Sequence, residues 1–253
     1  MQQHVANRMT YVHIAATLQD NFGLPIIFQK IYLFKSVLAE YYKATYERLL
    51  QQLVQGKVIH ADETPVKLQQ HSGYVWVFTS MEEVVYIYRP NRKADFLHDL
   101  LKDFEGVLIT DFYTGYDSLG CSQQKCLVHL IRDVNDDLLK NPFDEELQKI
   151  GTMFGSLLKT IVETIDIFGL KHRYLRKHKK EVEQFFDEKA KGSFTSEVAE
   201  RLRQRMLKYQ TKLFVFLDYD GVTWNNNNGD LPKALFTVDC GSYINLVISC
   251  DIR

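Results

Sequence analysis

The spacing of apolar residues changes twice along this chain, and these changes most constrain its fold. Residues 10–57 carry apolar side chains at intervals of three and four, which predicts helices, with a break at 23–25. Runs rich in β-branched and aromatic residues follow at 74–79 and 84–88, which predicts strands. From about 133 to 213 the helical spacing returns. The pattern therefore predicts a sheet that is preceded and followed in sequence by helices.

Further segments complete this sheet. The apolar runs at 58–63, 107–111 and 125–130 predict short strands, and 93–104 predicts an amphipathic helix. We therefore expect an α/β fold with a mixed sheet, an N-terminal helical region and a helical insertion at about 133–213.

Composition excludes several classes of protein. The 253 residues are 45% hydrophobic and 25% charged, which excludes intrinsic disorder. No apolar run approaches the roughly 20 residues that span a bilayer. The net charge of −1 excludes a globally basic nucleic-acid binder. The four cysteines form no C-x-x-C pair and the N-terminus resembles no secretory signal, so we expect a cytoplasmic protein without membrane contact.

Two aspartates are expected at the ends of neighbouring strands. Asp62 and Asp111 each close an apolar run, and parallel neighbouring strands would bring both carboxylates to one edge of the sheet. Adjacent carboxylates repel each other unless they share a proton or a cation. A divalent cation such as Mg²⁺ relieves this repulsion, and a pair of such ions activates a hydroxyl for attack on a phosphodiester. The alternative is that both aspartates only cap turns and helices.

Four short motifs occur in order along the chain. They are D-E-T at Asp62, T-D-x-Y-x-G-Y-D from Thr110, C-x-x-H-x-x-R from Cys126 and a W-N-N-N-N run from Trp224. Together they resemble the catalytic domain of transposases of the insertion sequence 66 family, which carry an aspartate-aspartate-glutamate triad on a ribonuclease-H-like fold. The resemblance implies DNA transposition by metal-dependent strand cleavage and transfer. It also implies three regions: 1–57 helical, 58–232 ribonuclease-H-like and catalytic, and 233–253 a divergent tail.

The resemblance further implies roles for individual residues. Asp62 and Asp111 match the first two metal-binding carboxylates, which implies Mg²⁺ or Mn²⁺ as cofactor, with two ions bound. Cys126 and His129 match a C-x-x-H motif whose role is structural or substrate-contacting, and two such residues are too few for a zinc site. The implied partners are DNA, as element ends and target, and further copies of the chain in a homo-oligomer on that DNA.

The end of the chain departs from the family pattern. Gly229-Asp230 follows the asparagine run where alanine and glutamate are expected, and residues 233–253 do not resemble the family's C-terminal part. Asp230 is therefore the expected third catalytic and metal-binding carboxylate, although its side chain is about 1 Å shorter than that of glutamate. The alternative interpretation is a catalytically inactive remnant that folds and binds DNA or a partner subunit. A third is a structure-specific nuclease on the same fold.

A basic cluster lies at 171–180, inside the expected insertion. Basic side chains on helices neutralise DNA phosphates without reading sequence. Pairing with the acidic residues that follow at 181–188 is the alternative. The resemblance favours DNA contact, and the candidate DNA-binding residues are Lys171, Arg173, Arg176, Lys177, Lys179 and Lys180.

Overall fold

The computed structural model describes residues 2–5, 7, 9–67, 72–190 and 192–229. In these ranges, helices precede and follow the strands, as the spacing of apolar residues predicts. The strands are β1 Val58–Lys67, β2 Ser72–Thr79, β3 Val84–Arg89, β4 Val107–Thr110 and β5 Ser122–Lys125. The α-helices are α1 Gln2–Val5, α2 Tyr11–Phe22, α3 Phe28–Val54, α4 Phe96–Leu100, α5 Leu127–Lys140, α6 Glu145–Phe168, α7 His172–Leu175, α8 Lys179–Ala190, α9 Glu197–Lys208 and α10 Gln210–Leu213.

The strands form one mixed sheet in the order β3-β2-β1-β4-β5. β2 and β3 are antiparallel, in a register that runs from Tyr74 opposite Arg89 to Thr79 opposite Val84. β1 is parallel to β4 over Val58–His60, and β4 is parallel to β5 along its whole length. An antiparallel pair and parallel strands in one sheet confirm the predicted α/β class.

The break between the first long helices occurs where the sequence predicts it. Gly23 ends α2 in the left-handed conformation, with φ +65°, which glycine adopts without a steric penalty. Its N–H donates to Gln19 O at 2.9 Å, and the N–H of Leu24 donates to Leu18 O at 3.1 Å, so two of the last carbonyls of the helix are satisfied. α3 then begins at Phe28.

The strand predicted at 125–130 is wrong. β5 ends at Lys125 and α5 begins at Leu127, with Cys126 between them as the N-cap residue. The apolar residues Leu127, Leu130 and Val134 form a buried stripe on this helix, and in a window of six residues such a stripe is indistinguishable from a strand. The true strand was missed because its buried residues are glutamines and a lysine.

The predicted helix at 93–104 is shorter than expected, because α4 covers only Phe96–Leu100. The helices of the insertion are interrupted at Asn141-Pro142 and at Gly192-Ser193. The helices after them begin with side-chain caps, since Asp144 accepts from Leu147 N and Ser196 accepts from Ala199 N. Within the described ranges no helix is long and apolar enough to cross a bilayer.

The chain divides into two compact units, each with its own buried residues. The described residues of the first unit fall in 2–56, 61–96 and 228–229. Its core is formed by β2 and β3, where Trp76 is fully buried and its ring meets Phe96 edge to face at 5.2 Å. The hydroxyl of Tyr46 on α3 donates to Tyr86 O on β3 at 2.9 Å.

The second unit contains residues 57–60 and 97–227. Its core lies between β4 and the helices of the insertion, α5, α6, α8 and α9. Phe154, Phe185, Phe186 and Phe214 pack against one another in the centre, with ring centroids 5.3–6.5 Å apart. The insertion therefore has a hydrophobic core of its own, continuous with the buried face of β4.

Candidate active site

Asp111 follows the last residue of β4, as predicted. The four residues of β4 are buried, and the half-buried Asp111 is the first residue beyond them. Its Oδ1 accepts a hydrogen bond from Tyr113 N at 2.9 Å, which is the geometry of an Asx turn. One backbone donor therefore orients this carboxylate, which stands where the strand leaves the sheet.

Asp62 lies within β1 and not at its end. β1 continues to Lys67, so the expectation that Asp62 closes its strand is wrong. The apolar run does end there, but the polar residues Glu63 and Thr64 extend the strand and are buried. The Asp62 side chain accepts a hydrogen bond on Oδ1 from Glu63 N at 2.8 Å, and the residue is only 4% exposed.

The second acid of the D-E-T motif has a cation beside it. The Glu63 side chain is 1% exposed, and its Oε1 accepts hydrogen bonds from Arg92 Nε at 2.9 Å and from the Arg92 terminal nitrogen at 2.5 Å. A buried carboxylate is tolerated when a cation and hydrogen bonds compensate for lost hydration. We interpret Glu63 as a structural acid of the first unit.

Lys125 is a candidate site residue that the sequence analysis missed. Its side chain is fully buried at the end of β5, where Nζ donates to Thr110 Oγ1 at 3.1 Å and lies 3.4 Å from Asp117 Oδ1. Burial lowers the pKa of Lys125 to about 8, against the opposing charges of Asp117 and Asp111. A lysine in a polar stretch before an apolar helix carries no signal in the sequence, because only the fold buries it.

Asp117, the last residue of the T-D-x-Y-x-G-Y-D motif, anchors the loop that follows Asp111. Its Oδ2 accepts hydrogen bonds from Tyr209 OH at 2.9 Å and from Lys208 Nζ at 3.1 Å. Burial opposes ionisation, but these two hydrogen bonds and the charge of Lys125 together lower the pKa of Asp117. The motif thus combines a carboxylate at the strand end with a second acid that fixes the loop to the helical insertion.

Cys126 takes part in a buried hydrogen-bond network with the asparagine run. Cys126 Sγ accepts from Asn226 N at 3.2 Å, and Asn226 Oδ1 is 3.0 Å from His60 Nδ1. The three residues are at most 2% exposed. Because the amide oxygen only accepts, His60 Nδ1 is the donor, and burial lowers the pKa of His60, which favours the neutral ring.

The remaining motif residues fall in different places. His129 lies on α5, one turn after Cys126, and is half-buried. Among the described residues, no group of three or more His, Cys, Asp or Glu side chains is arranged to hold a metal ion. Asp230, the expected third carboxylate, lies outside the described residues.

The basic cluster spans α7, a 3-10 turn and the first residues of α8. Its six candidate DNA-binding residues are all exposed. Lys179 pairs with Asp218 at 2.5 Å, and Arg173 lies over the ring of Tyr174. Arg176, Lys177 and Lys180 have no ion-pair partner in the part of the chain that the structure describes. Among the described residues, no ion pair joins these three to the acids at 181–188.

A second basic stretch, at 201–208, differs in this respect. Arg205 pairs with Asp133 at 2.7 Å, Arg203 with Glu200 at 2.6 Å, and Lys208 with Asp117 at 3.1 Å. Arg205 and Lys208 connect α9 to other elements, while Arg203 pairs within α9. The charge of these three cations is thus matched inside the protein.

The motifs that run from Asp62 to the asparagine run are matched as a whole by one family model. That model, described as the transposase IS66 family, covers residues 1–229. The chain belongs to the IS66 transposase family. No curated protein matches the chain.

Membership of the IS66 family supports a transposase role in general. An IS66 transposase is a DNA-processing enzyme, so DNA is its partner. Transposases of the aspartate-aspartate-glutamate type generally use divalent metal ions. The strand-associated acids Asp62 and Asp111 offer only carboxylate oxygens, the ligands that hard cations such as Mg²⁺ prefer. The thiol of Cys126, a softer ligand, is buried and accepts a hydrogen bond from Asn226 N.

Proposed function

We propose that this IS66 transposase cleaves and joins DNA strands, with Asp62 and Asp111 as its first two metal ligands. The parallel pairing of β1 with β4 carries the proposal. His60 on β1 is paired in register with Ile109 on β4. Asp62 lies two residues after His60, and Asp111 lies two residues after Ile109. Parallel strands in register advance together, so two aspartates at equal offsets are expected at the same level of the sheet.

The same observation supports a ribonuclease-H-like fold as a further part of the proposal. The sheet combines an antiparallel pair, β2 and β3, with parallel strands β1, β4 and β5, and the acids are carried on the parallel strands. Helices follow β3 and β5 in the chain. A mixed sheet with helices of this kind is compatible with the ribonuclease-H-like fold that the resemblance implies.

The chain's own residues would bind and orient the reacting groups. Asp62 and Asp111 would hold Mg²⁺ or Mn²⁺, two ions in all, with Asp230 as third carboxylate. The bound metal would supply charge stabilisation for the attacking and leaving oxygens of the phosphodiester. Asp62 and Asp111 are oriented by the N–H groups of Glu63 and Tyr113, which limits the number of positions that each carboxylate samples.

The exposed cations at 171–180 are proposed to bind the DNA backbone. Phosphate contacts fix the position of a protein on DNA and carry no sequence information, so this surface would orient the substrate and not select it. Assembly into a homo-oligomer on DNA, and cytoplasmic location, stay predictions from the resemblance.

Replacing Asp111 by Asn tests the proposed site. The amide keeps the shape and one acceptor but loses the charge that binds a cation, so we expect Mg²⁺-dependent cleavage of element ends to fall at least about 10²-fold. Asp103→Asn is the matched control, because it changes an exposed carboxylate that precedes β4 in the chain. It should cleave like wild type. Cleavage that persists at the wild-type rate in Asp111→Asn rejects the assignment.

The second candidate function is that of an inactive remnant that binds DNA without cutting it. The sequence after Asn228 favours it, because Gly229-Asp230 and the segment after it depart from the family pattern. Wild type that binds element ends but cleaves none of them in Mg²⁺ or Mn²⁺ would support the remnant. Strand transfer gained by Asp230→Glu together with a family-like C-terminal helix would identify the cause.

A further inference from the structure

A buried network of hydrogen bonds connects β1, β4, α5 and the asparagine run of the second unit. Asn226 is fully buried, and two of its polar groups bind different partners: the backbone N–H donates to Cys126 Sγ and the side-chain oxygen accepts from His60 Nδ1. The N–H of Cys126 in turn donates to Thr110 O at 2.8 Å. The path from Thr110 to His60 therefore consists of three hydrogen bonds with two intermediate residues.

One end of this path lies directly next to a proposed metal ligand. Thr110 directly precedes Asp111, and His60 precedes Asp62 by two residues on β1. The N–H of Leu127, the residue after Cys126, also donates to Trp224 O at 2.8 Å, so the segment that carries Asn226 is held at two points. Thr110, His60, Cys126 and Asn226 are all between 0% and 2% exposed, which keeps water from replacing any of these hydrogen bonds.

We propose that Asn226 and Cys126 are positioning residues that hold the end of β4, and with it Asp111, in the place required for metal binding. The inference rests on the function proposed above. Residues that support metal ligands in this way typically change metal affinity 10–100-fold when they are removed. The network also gives a role to two motifs, the cysteine of C-x-x-H and the asparagine run, that contain no expected ligand.

The test compares metal binding with stability in four variants of the full chain. Asn226→Ala removes the acceptor of the His60 hydrogen bond, and Cys126→Ala removes the acceptor of the Asn226 N–H. Cys126→Ser keeps an acceptor in the same place and is expected to fold even where the alanine variants are weakened. Asn227→Ala changes the exposed neighbouring asparagine and is the matched control.

Three quantities are measured for each variant: Mn²⁺ affinity without DNA, by electron paramagnetic resonance, the Mg²⁺ concentration that gives half-maximal cleavage, and the melting temperature. We expect Asn226→Ala and Cys126→Ala to lower the Mn²⁺ affinity, and to raise the Mg²⁺ concentration for half-maximal cleavage, by about 10-fold or more. Cys126→Ser should change both values less, and Asn227→Ala should match wild type. A lower melting temperature with unchanged Mn²⁺ affinity would mean that the network only stabilises the fold, which overturns the inference.

The outcome for wild type separates the two proposals. Mn²⁺ binding by wild type that is lost in Asp111→Asn and unchanged in Asn226→Ala keeps the proposed site and rejects the positioning role. Wild type that neither binds Mn²⁺ nor cleaves DNA rejects the proposed function, and the inference falls with it.

Discussion

The buried charge of Lys125 connects the end of β4 with the loop that follows it. Its ammonium group sits between Thr110 and Asp117, with the rings of Tyr116 and Tyr209 centred 5.5 and 5.6 Å away. A charged lysine in such surroundings loses its hydration and recovers part of the loss from Asp117 and the ring faces. The buried charge of Lys125 therefore lowers the stability of the folded state, while its contacts connect the end of β4 with the loop after Asp111.

The destabilisation by charged Lys125 depends on pH, and comparison of wild type with Lys125→Met measures it. The folded-state pKa of Lys125 is about 8 against 10.5 in the unfolded chain, so between these values the unfolded state binds the extra proton. The contribution of Lys125 to the free energy of unfolding is thus lowest below pH 8, and it rises as the pH increases to 10.5. We expect wild-type stability minus Lys125→Met stability to rise by up to about 3 kcal/mol between pH 7.5 and pH 10.5.

Urea unfolding of both proteins at the two pH values measures the difference directly. Lys102→Met, at an exposed position, controls for the loss of a lysine as such. A difference between wild type and Lys125→Met that stays constant with pH would show that Lys125 keeps an ordinary lysine pKa.

At the scale of elements, the end of α2 offers a clean test of backbone strain. A Cβ added at Gly23 would meet no atom within 4 Å, so Gly23→Ala changes only the cost of the left-handed conformation. We expect the free energy of unfolding to fall by about 1 kcal/mol. Gly155→Ala, in the exposed interior of α6 and also without a neighbour within 4 Å, should raise it by up to about 1 kcal/mol because alanine favours helix.

Chemical denaturation of the two variants checks both signs in one experiment. The pair is informative because the amino-acid change is identical and only the backbone conformation differs. Equal effects at the two positions would contradict the role assigned to the positive φ of Gly23.

The elements that the sequence predicted correctly are those with a regular apolar pattern. β2 and β3 alternate β-branched and aromatic residues, and α3 keeps its helical spacing over 27 residues, so local physics is enough to identify them. β5 was missed because Gln123, Gln124 and Lys125 are buried through polar contacts. Those contacts involve residues up to 92 positions away, such as Phe216, whose N–H donates to Gln124 Oε1.

The residues of the candidate site also fall into those that local sequence motifs indicate and those that depend on distant contacts. Asp62 and Asp111 were identified from motifs, and Asp111 stands just past its strand as expected. The supporting residues Lys125 and Asn226 were not predicted, since their roles depend on partners that only the tertiary structure brings near. Local patterns in this chain therefore point to candidate ligands more readily than to buried residues whose contacts come from distant parts of the sequence.

At the scale of the whole molecule, a net charge of −1 makes the distribution of charge decisive for DNA binding. The binding constant for duplex DNA should fall with salt, and each phosphate contact contributes about 0.9 to the slope of log affinity against log salt concentration. We expect Arg176→Ala, Lys177→Ala and Lys180→Ala each to reduce that slope by about 0.9 where the side chain contacts one phosphate.

Fluorescence anisotropy of a labelled duplex over a range of salt concentrations gives this slope. Arg205→Ala is the comparison, because Arg205 is already paired with Asp133 and should leave the slope unchanged. Equal slopes for wild type and all three cluster variants would place the DNA elsewhere on the protein.

The carboxamide of Gln124 has a consequence for the helical insertion. It donates to Leu213 O at 2.8 Å and accepts from Phe216 N at 3.0 Å, while the chain leaves the sheet only two residues later, at Cys126. Departure and return are thus fastened to the same short strand. A change of helix length inside the segment 126–213 would therefore move neither the point where the chain leaves the sheet nor the point where it returns to it.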